Sequence, residues 1–193
     1  MVRMLLVGPP GAGKGTQAVL LSAAFSIPAI STGDIFRANV RDETPLGVEA
    51  KGFMDRGEYV PDSLTNALVA DRLAQQDCEL GFLLDGYPRT LDQVRALDEV
   101  LASQGNQLDV VVELTVDPEI VVDRIRGRAS EQGRTDDSED VVRNRLEVYA
   151  RETAPLIEVY GARGVLVSVD GIGAIDDVTQ RIVAALALRG FSA

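Results

Sequence analysis

A chain of 193 residues, 46% of them apolar and 25% charged, can bury one sizeable α/β core, and it carries no internal repeat or low-complexity tract. A net charge of −11 argues against a nucleic-acid or anionic-membrane surface, and it makes any phosphate site a local island of positive charge. With no histidine and one cysteine, Cys78, the chain excludes histidine acid–base catalysis, an internal disulfide framework and a Cys/His zinc site.

The first apolar run, Val2 to Val7, is a predicted buried strand, too short for a signal-peptide core. It leads straight into Gly8-Pro-Pro-Gly-Ala-Gly-Lys-Gly-Thr16, and an amphipathic helix follows with Ala18, Leu21, Ala24 and Phe25 at helical spacing. Strand, glycine-rich turn and helix is the context in which a loop binds phosphate. Glycines let the backbone wrap closely around an anion, the helix N-terminus points its N–H groups inward, and Lys14 adds a full charge. Ser or Thr directly follows the lysine in the usual pattern, whereas here Gly15 intervenes before Thr16. The loop therefore points to nucleotide phosphate rather than to direct magnesium ligation by Thr16.

Further strands are predicted at Ala29 to Ser31, Phe82 to Asp85, Leu108 to Val116 and Val165 to Val169. Their runs of Val and Leu suit parallel strands covered on both faces. Between them lie helical patterns: Leu91, Val94, Leu97 and Leu101, and a long stretch with Val142, Leu146, Tyr149, Thr153, Leu156 and Tyr160, bent locally at Pro155. A last helix carries Ile175, Val178, Ile182 and Leu186. The expected fold class is α/β, a doubly wound parallel sheet of five strands flanked by helices. Two segments exceed a simple crossover. Residues 31–60, broken at Thr44-Pro45 and Gly57, read as a small helical lobe beside the sheet, and 127–140 have a mobile-loop composition. No segment approaches the ~18 uninterrupted apolar residues of a membrane span, so a cytoplasmic protein is expected.

Asp85 closes a buried strand at the sheet edge where ligands sit in open α/β folds, and is a candidate to hold water around Mg²⁺. Gly86-Tyr-Pro-Arg89-Thr90 follows it and would hold Arg89 at the same edge. The second strand ends in Ser31-Thr32-Gly33-Asp34, a helix N-cap, with Arg37 placed for an i, i+3 ion pair to Asp34.

Taken together these segments resemble adenylate kinase. The resemblance rests on Gly-Pro-Pro-Gly-Ala-Gly-Lys-Gly-Thr at 8–16, Ser-Thr-Gly-Asp with Arg37, and Gly-Phe-Leu-Leu-Asp-Gly-Tyr-Pro-Arg-Thr at 81–90. Asp-Arg-Ile-Arg-Gly-Arg at 123–128, Arg-Thr-Asp-Asp at 134–137 and Val-Arg-Asn-Arg-Leu at 142–146 extend it over nearly the whole chain. It implies Mg·ATP + AMP ⇌ 2 ADP in a single kinase domain, with residues 31–60 as the AMP-binding lobe. It also implies that 127–137 form a lid reduced to a loop without cysteine, hence no zinc. On the matching positions it implies that Gly11, Ala12, Gly13, Lys14, Gly15 and Thr16 hold the ATP phosphates. Thr32, Arg37, Glu58, Tyr59, Val60, Gly86, Tyr87, Pro88, Arg89 and Gln93 would hold AMP. Arg124 would lie on the ATP adenine face and Arg128 at the ATP phosphates, while Arg134 and Arg145 would close on the transferring group. The Gly173 carbonyl would face the ATP base. Asp34 and Asp85 would meet Mg²⁺ through water.

Phosphoryl transfer needs positioning and charge stabilisation rather than covalent help, so a chain without histidine can perform it. Guanidinium forks suit phosphate oxygens. Arg41, Arg72, Arg95 and Arg189 fall outside the motifs and are expected at the surface. Two rival readings fit the motifs less well. Kinases for pyrimidine monophosphates usually have Ala in place of Thr32 and Asn after the Pro-Arg, whereas Thr32, Thr90 and Gln93 favour AMP. A slow P-loop switch usually carries Asn-Lys-x-Asp, and this chain has no Asn-Lys pair. The expected partners are ATP, AMP and ADP, with no nucleic acid and no membrane, and the expected state is a monomer.

Overall fold

The computed structural model describes residues 1–117, 120, 121, 124 and 139–193. Five parallel strands, β1 (Val2–Val7), β2 (Ala29–Ser31), β3 (Gly81–Asp85), β4 (Val110–Thr115) and β5 (Leu166–Asp170), form one sheet in the order β2-β3-β1-β4-β5. Among the described residues the bounded α-helices are α1 (Lys14–Phe25), α2 (Thr32–Arg41), α3 (Pro45–Asp55), α4 (Asp62–Leu73), α5 (Leu91–Ser103), α6 (Glu139–Val148), α7 (Leu156–Ala162) and α8 (Ile175–Ala187), and residues 120, 121 and 124 are also helical. The expected parallel α/β architecture is present.

Strand periodicity divides β1 between two cores. Met4 and Leu6 pack on one face with Leu21, Val178, Ile182 and Leu186 from α1 and α8. Leu5 and Val7 pack on the other with Val69, Leu97, Leu101, Leu156 and Tyr160. A third, small cluster of Phe36, Ala50 and Val60 sits between α2 and α3. Leu46, Phe53, Met54, Leu64 and Leu68 pack against it, and Leu68 also packs against the second sheet core.

Several expectations shift: β4 spans Val110–Thr115 rather than Leu108 to Val116, and β5 spans Leu166–Asp170 rather than Val165 to Val169. β3 begins at Gly81 rather than Phe82, because Gly81 has φ +133 and a Cβ there would lie 2.4 Å from Val2 O, a pairing open only to glycine. On α1 the buried positions are Gln17, Ala18 and Leu21, with Ala24 exposed. Gln17 is held by Thr179 Oγ1, which donates to its Oε1 at 2.8 Å, and its own Nε2 donates to Ile175 O at 3.1 Å. The long helix expected over 142–160 is not continuous. It passes through a π-helical turn, Tyr149–Thr153, before Pro155, and α7 restarts at Leu156. Pro155 lacks an N–H, so the break falls where an i to i−4 bond cannot form. Of the expected 127–140 loop, residues 139 and 140 are already helical, and the rest lies outside the described residues.

Candidate active site

The parallel sheet brings the C-terminal ends of β1, β2 and β3 side by side, with Ser31 opposite Asp85 and Asp85 opposite Leu6. The glycine loop leaves β1 here. Gly11 and Gly13 adopt φ +83 and +93, and Gly13 begins α1 with no side chain to cap its first turn. No side chain therefore satisfies those first N–H groups, the arrangement in which a helix N-terminus can take up an anion. Lys14 Nζ folds over the loop and donates to Gly8 O at 2.7 Å and Pro9 O at 2.9 Å.

A cavity opens beside the loop, lined by Lys14, Thr32, Arg37, Glu58, Tyr59, Val60, Gly86, Pro88, Arg89, Gln93 and Arg145 among others. Its basic groups come from four segments far apart in sequence. Arg37 pairs with Asp34 at 2.5 Å on the first turn of α2, where Ser31 Oγ caps Asp34 N at 3.2 Å, as the spacing predicted. Buried Thr32 donates from Oγ1 to Gly86 O at 2.9 Å. Arg89 donates from Nε to the same carbonyl at 2.7 Å, and its guanidinium lies 4.9 Å from the Tyr59 ring centre. Gly86 has φ +78, and a Cβ there would fall 2.8 Å from Arg89 Nη2. Arg145, on α6, packs against Gly57, whose absent Cβ leaves room for Arg145 Cγ at 3.0 Å.

Asp85 lies under the loop, its Oδ2 3.7 Å from where a Cβ on Gly15 would be. Burial pushes its carboxyl above the ordinary range, and Lys14 and then Arg89 pull it back. Tyr149, at the cavity wall, is pushed up to about 12 by burial, with Glu113 and Tyr59 adding to the shift.

Other expected site residues lie elsewhere. Arg124 reaches the loop away from the cavity, donating to Ala12 O at 3.5 Å and Gly171 O at 3.1 Å. Gly173, past β5, has φ +120 and lies by Arg181. The side chain of Tyr87 does not line the cavity. It is buried in the second sheet core, and its hydroxyl donates to Asn66 Oδ1 at 2.8 Å. Arg128, Arg134 and the 127–137 segment lie outside the described residues. Arg41 and Arg95 are exposed as expected, and Arg189 donates to Gly164 O and Leu166 O. Arg72 is not a plain surface residue: Asp77 holds it at 2.7 Å against buried Cys78.

Sequence reading missed Asp62 and Thr153. Asp62 accepts from Thr90 Oγ1 and from Gln93 Nε2, each at 2.6 Å. Gln93 Oε1 in turn accepts from Arg89 N at 2.7 Å. A donor-only and an acceptor-only partner thus fix the Gln93 amide in one orientation. Asp62 carries no sequence signal beyond an acid at a helix start. Thr153 is a hydroxyl in an otherwise apolar stripe, which could have drawn attention to it.

The family model described as adenylate kinase matches residues 6–165. The chain is 61% identical to an adenylate kinase of Leifsonia xyli subsp. xyli over 187 residues, which are 97% of this chain and 94% of that one. It is 60% identical to one of Kocuria rhizophila, covering 96% and 99%, and 55% identical to one of Thermobifida fusca, covering 97% and 100%.

Proposed function

This chain belongs to the adenylate kinase family and is an ATP:AMP phosphotransferase, and from that premise we propose how its own residues divide the reaction Mg·ATP + AMP ⇌ 2 ADP. AMP enters the cavity with its phosphate between Arg37, Arg89 and Arg145, its base toward Val60 and Gln93, and Thr32 and residues 58–60 along its side. The α2–α3 segment, 31–60, is its lobe. ATP places its phosphates on Gly11 to Thr16 at the head of α1. Lys14 lies between the two phosphate groups and Arg124 and Gly173 lie at the ATP base. In the proposed 127–137 lid, Arg128 is assigned to the ATP phosphates and Arg134 to the transferring phosphoryl group, on their motifs alone.

The observation that carries this reading is the convergence of Lys14, Arg37, Arg89 and Arg145 on one cavity in a chain of net charge −11. Fixed positive charge aimed at the phosphates, with both substrates held in line, is what this transfer requires of a protein. None of these groups has to give or take a proton.

Mg²⁺ bound between substrate phosphates commonly keeps several waters and takes only one or two carboxylates from the protein. The donor set fits that pattern, because Asp85 lies beneath the loop with Asp34 near enough to shift its charge. Among the described residues no group of three acids, cysteines or histidines could cage a metal. When bound, Mg²⁺ neutralises charge on the ATP phosphates. We assign no zinc. The same reading makes the enzyme a cytoplasmic monomer without nucleic-acid or membrane partners. The acidic surface charge, a cavity built within one chain, and no helix among the described residues long and apolar enough to cross a membrane support that reading.

Two adenosines joined by five phosphates would span both pockets, and linkage of two ligands can raise affinity by ~10² to 10⁴ over either half. Calorimetry should show one tight site for that molecule, competitive with both ATP and AMP. Binding no tighter than ATP, or AMP left bound beside it, would defeat the two-pocket reading.

A further inference from the structure

The division of labour above leaves the buried hydroxyl of Thr153 unused. Thr153 is 4% exposed and closes the π-helical turn Tyr149–Thr153 between α6 and α7. A helical threonine commonly turns its hydroxyl back to the carbonyl one turn earlier. Thr153 instead sends its hydroxyl across the cavity wall. Oγ1 donates to Arg89 O at 2.8 Å, a residue 64 positions away, and lies 2.8 Å from Tyr59 Oη.

The direction of these bonds follows from the atoms. A carbonyl only accepts, so the single Thr153 proton is committed to Arg89. Tyr59 must then donate its own proton to Thr153 Oγ1. The chain runs one way, from Tyr59 O–H to Thr153 O–H to the Arg89 carbonyl, and each bond polarises the next. The ring of the same Tyr59 lies 4.9 Å from the Arg89 guanidinium. Arg89 is thereby gripped along its whole length: Gln93 at its N–H, Thr153 at its carbonyl, Gly86 at Nε and Tyr59 at the guanidinium.

We infer that Thr153 and Tyr59 are positioning residues that set the aim of Arg89 at the AMP phosphate. The inference rests on the assignment of Arg89 to that phosphate. Tyr59 lies in the segment between α3 and α4, so the alignment of Arg89 depends on that segment being seated against the π-helical turn. A side chain misaimed by an ångström loses much of the rate that orientation supplies, although it still carries its charge.

The test uses the full-length enzyme with Thr153→Val, Thr153→Ser, Tyr59→Phe and the Thr153→Val/Tyr59→Phe pair. Thr153→Val keeps the shape and removes the hydroxyl. It should lower kcat/KM for AMP by about tenfold and leave the KM for ATP in place, while Thr153→Ser should stay within about twofold of wild type. Tyr59→Phe should fall between these, and the double variant should be no worse than Thr153→Val, because both changes cut one chain. In arginine-labelled protein the Arg89 Nε–H resonance should move in Thr153→Val and Tyr59→Phe and return in Thr153→Ser. Unchanged AMP kinetics and an unmoved Arg89 resonance would overturn the inference. So would losses shared equally by ATP and AMP, tracking Tm and unrescued by serine. Should Thr153→Val fail to fold, the serine and Tyr59→Phe variants decide the matter by the same readouts. A wild-type protein that transferred no phosphoryl group to AMP would instead defeat the site assignment, and the Arg89 resonance would still report whether Thr153 holds that residue.

Discussion

Replacing Gly86 by alanine adds one methyl group where β3 hands over to the Gly-Tyr-Pro-Arg turn, and the structure determines what it would meet. The backbone there has φ +78, a region that costs an L-residue roughly 1–2 kcal/mol. The new Cβ would lie 2.8 Å from Arg89 Nη2 and 3.2 Å from Thr32 Oγ1. The first neighbour is the tip of a flexible side chain, so it yields and the turn survives. Its displacement breaks the 2.7 Å bond from Arg89 Nε to Gly86 O and draws the guanidinium off the Tyr59 ring. The backbone term should lower Tm by about 2–8 °C. The lost alignment should lower kcat/KM for AMP by about 10- to 100-fold, part or all of what one preorganised charge contact supplies. A thermal melt and a coupled ADP assay with AMP and ATP varied in turn measure both. Wild-type kcat/KM for AMP, or a loss that appears in the ATP dependence instead, would refute the placement of Arg89.

Lys14→Ala should lower kcat/KM by ~10²-fold or more in a chain that still folds, as steady-state kinetics beside a melt would show. Asp85→Asn tests a cost of burial. Because burial raises the folded pKa of Asp85, the native state holds this proton more tightly than the unfolded chain. Its contribution to stability is therefore full below the ordinary carboxylate range and is lost as pH rises through the raised pKa. The asparagine variant should match wild-type Tm in acid and gain on it toward neutral pH while losing Mg²⁺-dependent activity; a Tm difference that is flat with pH would count against this. Gly47→Ala would set a Cβ 2.0 Å from Asn39 O, backbone against backbone, and should cost roughly 3 kcal/mol or more, read as a drop in Tm.

The glycine loop, the strand ends at Asp85 and Ser31, and the capped start of α2 were legible because each depends on neighbours in sequence. Continuous Val and Leu runs marked the parallel strands for the same reason. The order β2-β3-β1-β4-β5 was not legible, since local pattern does not say which strand lies beside which. Gln17, Asp62 and Thr153 escaped because their roles are set by partners 162, 31 and 64 residues away. Helical spacing also misjudged the ends of helices. Leu91 and Ile175 continue their apolar stripes yet are exposed, each the first residue of its helix. The break at Tyr149–Thr153 was foreshadowed only by Pro155.

The cluster between α2 and α3 has three buried residues among the described ones, against fifteen in each of the two sheet cores. Local opening is easiest where the fewest apolar contacts must part, so this segment should loosen on warming well before the sheet does. The upper working temperature of the enzyme would then be set by small clusters such as Phe36, Ala50 and Val60 and their neighbours, not by the global melt. Activity and ellipticity followed through one heating ramp should part company, with turnover falling first. A lineage moving to a warmer or colder habitat could retune its enzyme at these few positions and leave both sheet cores untouched.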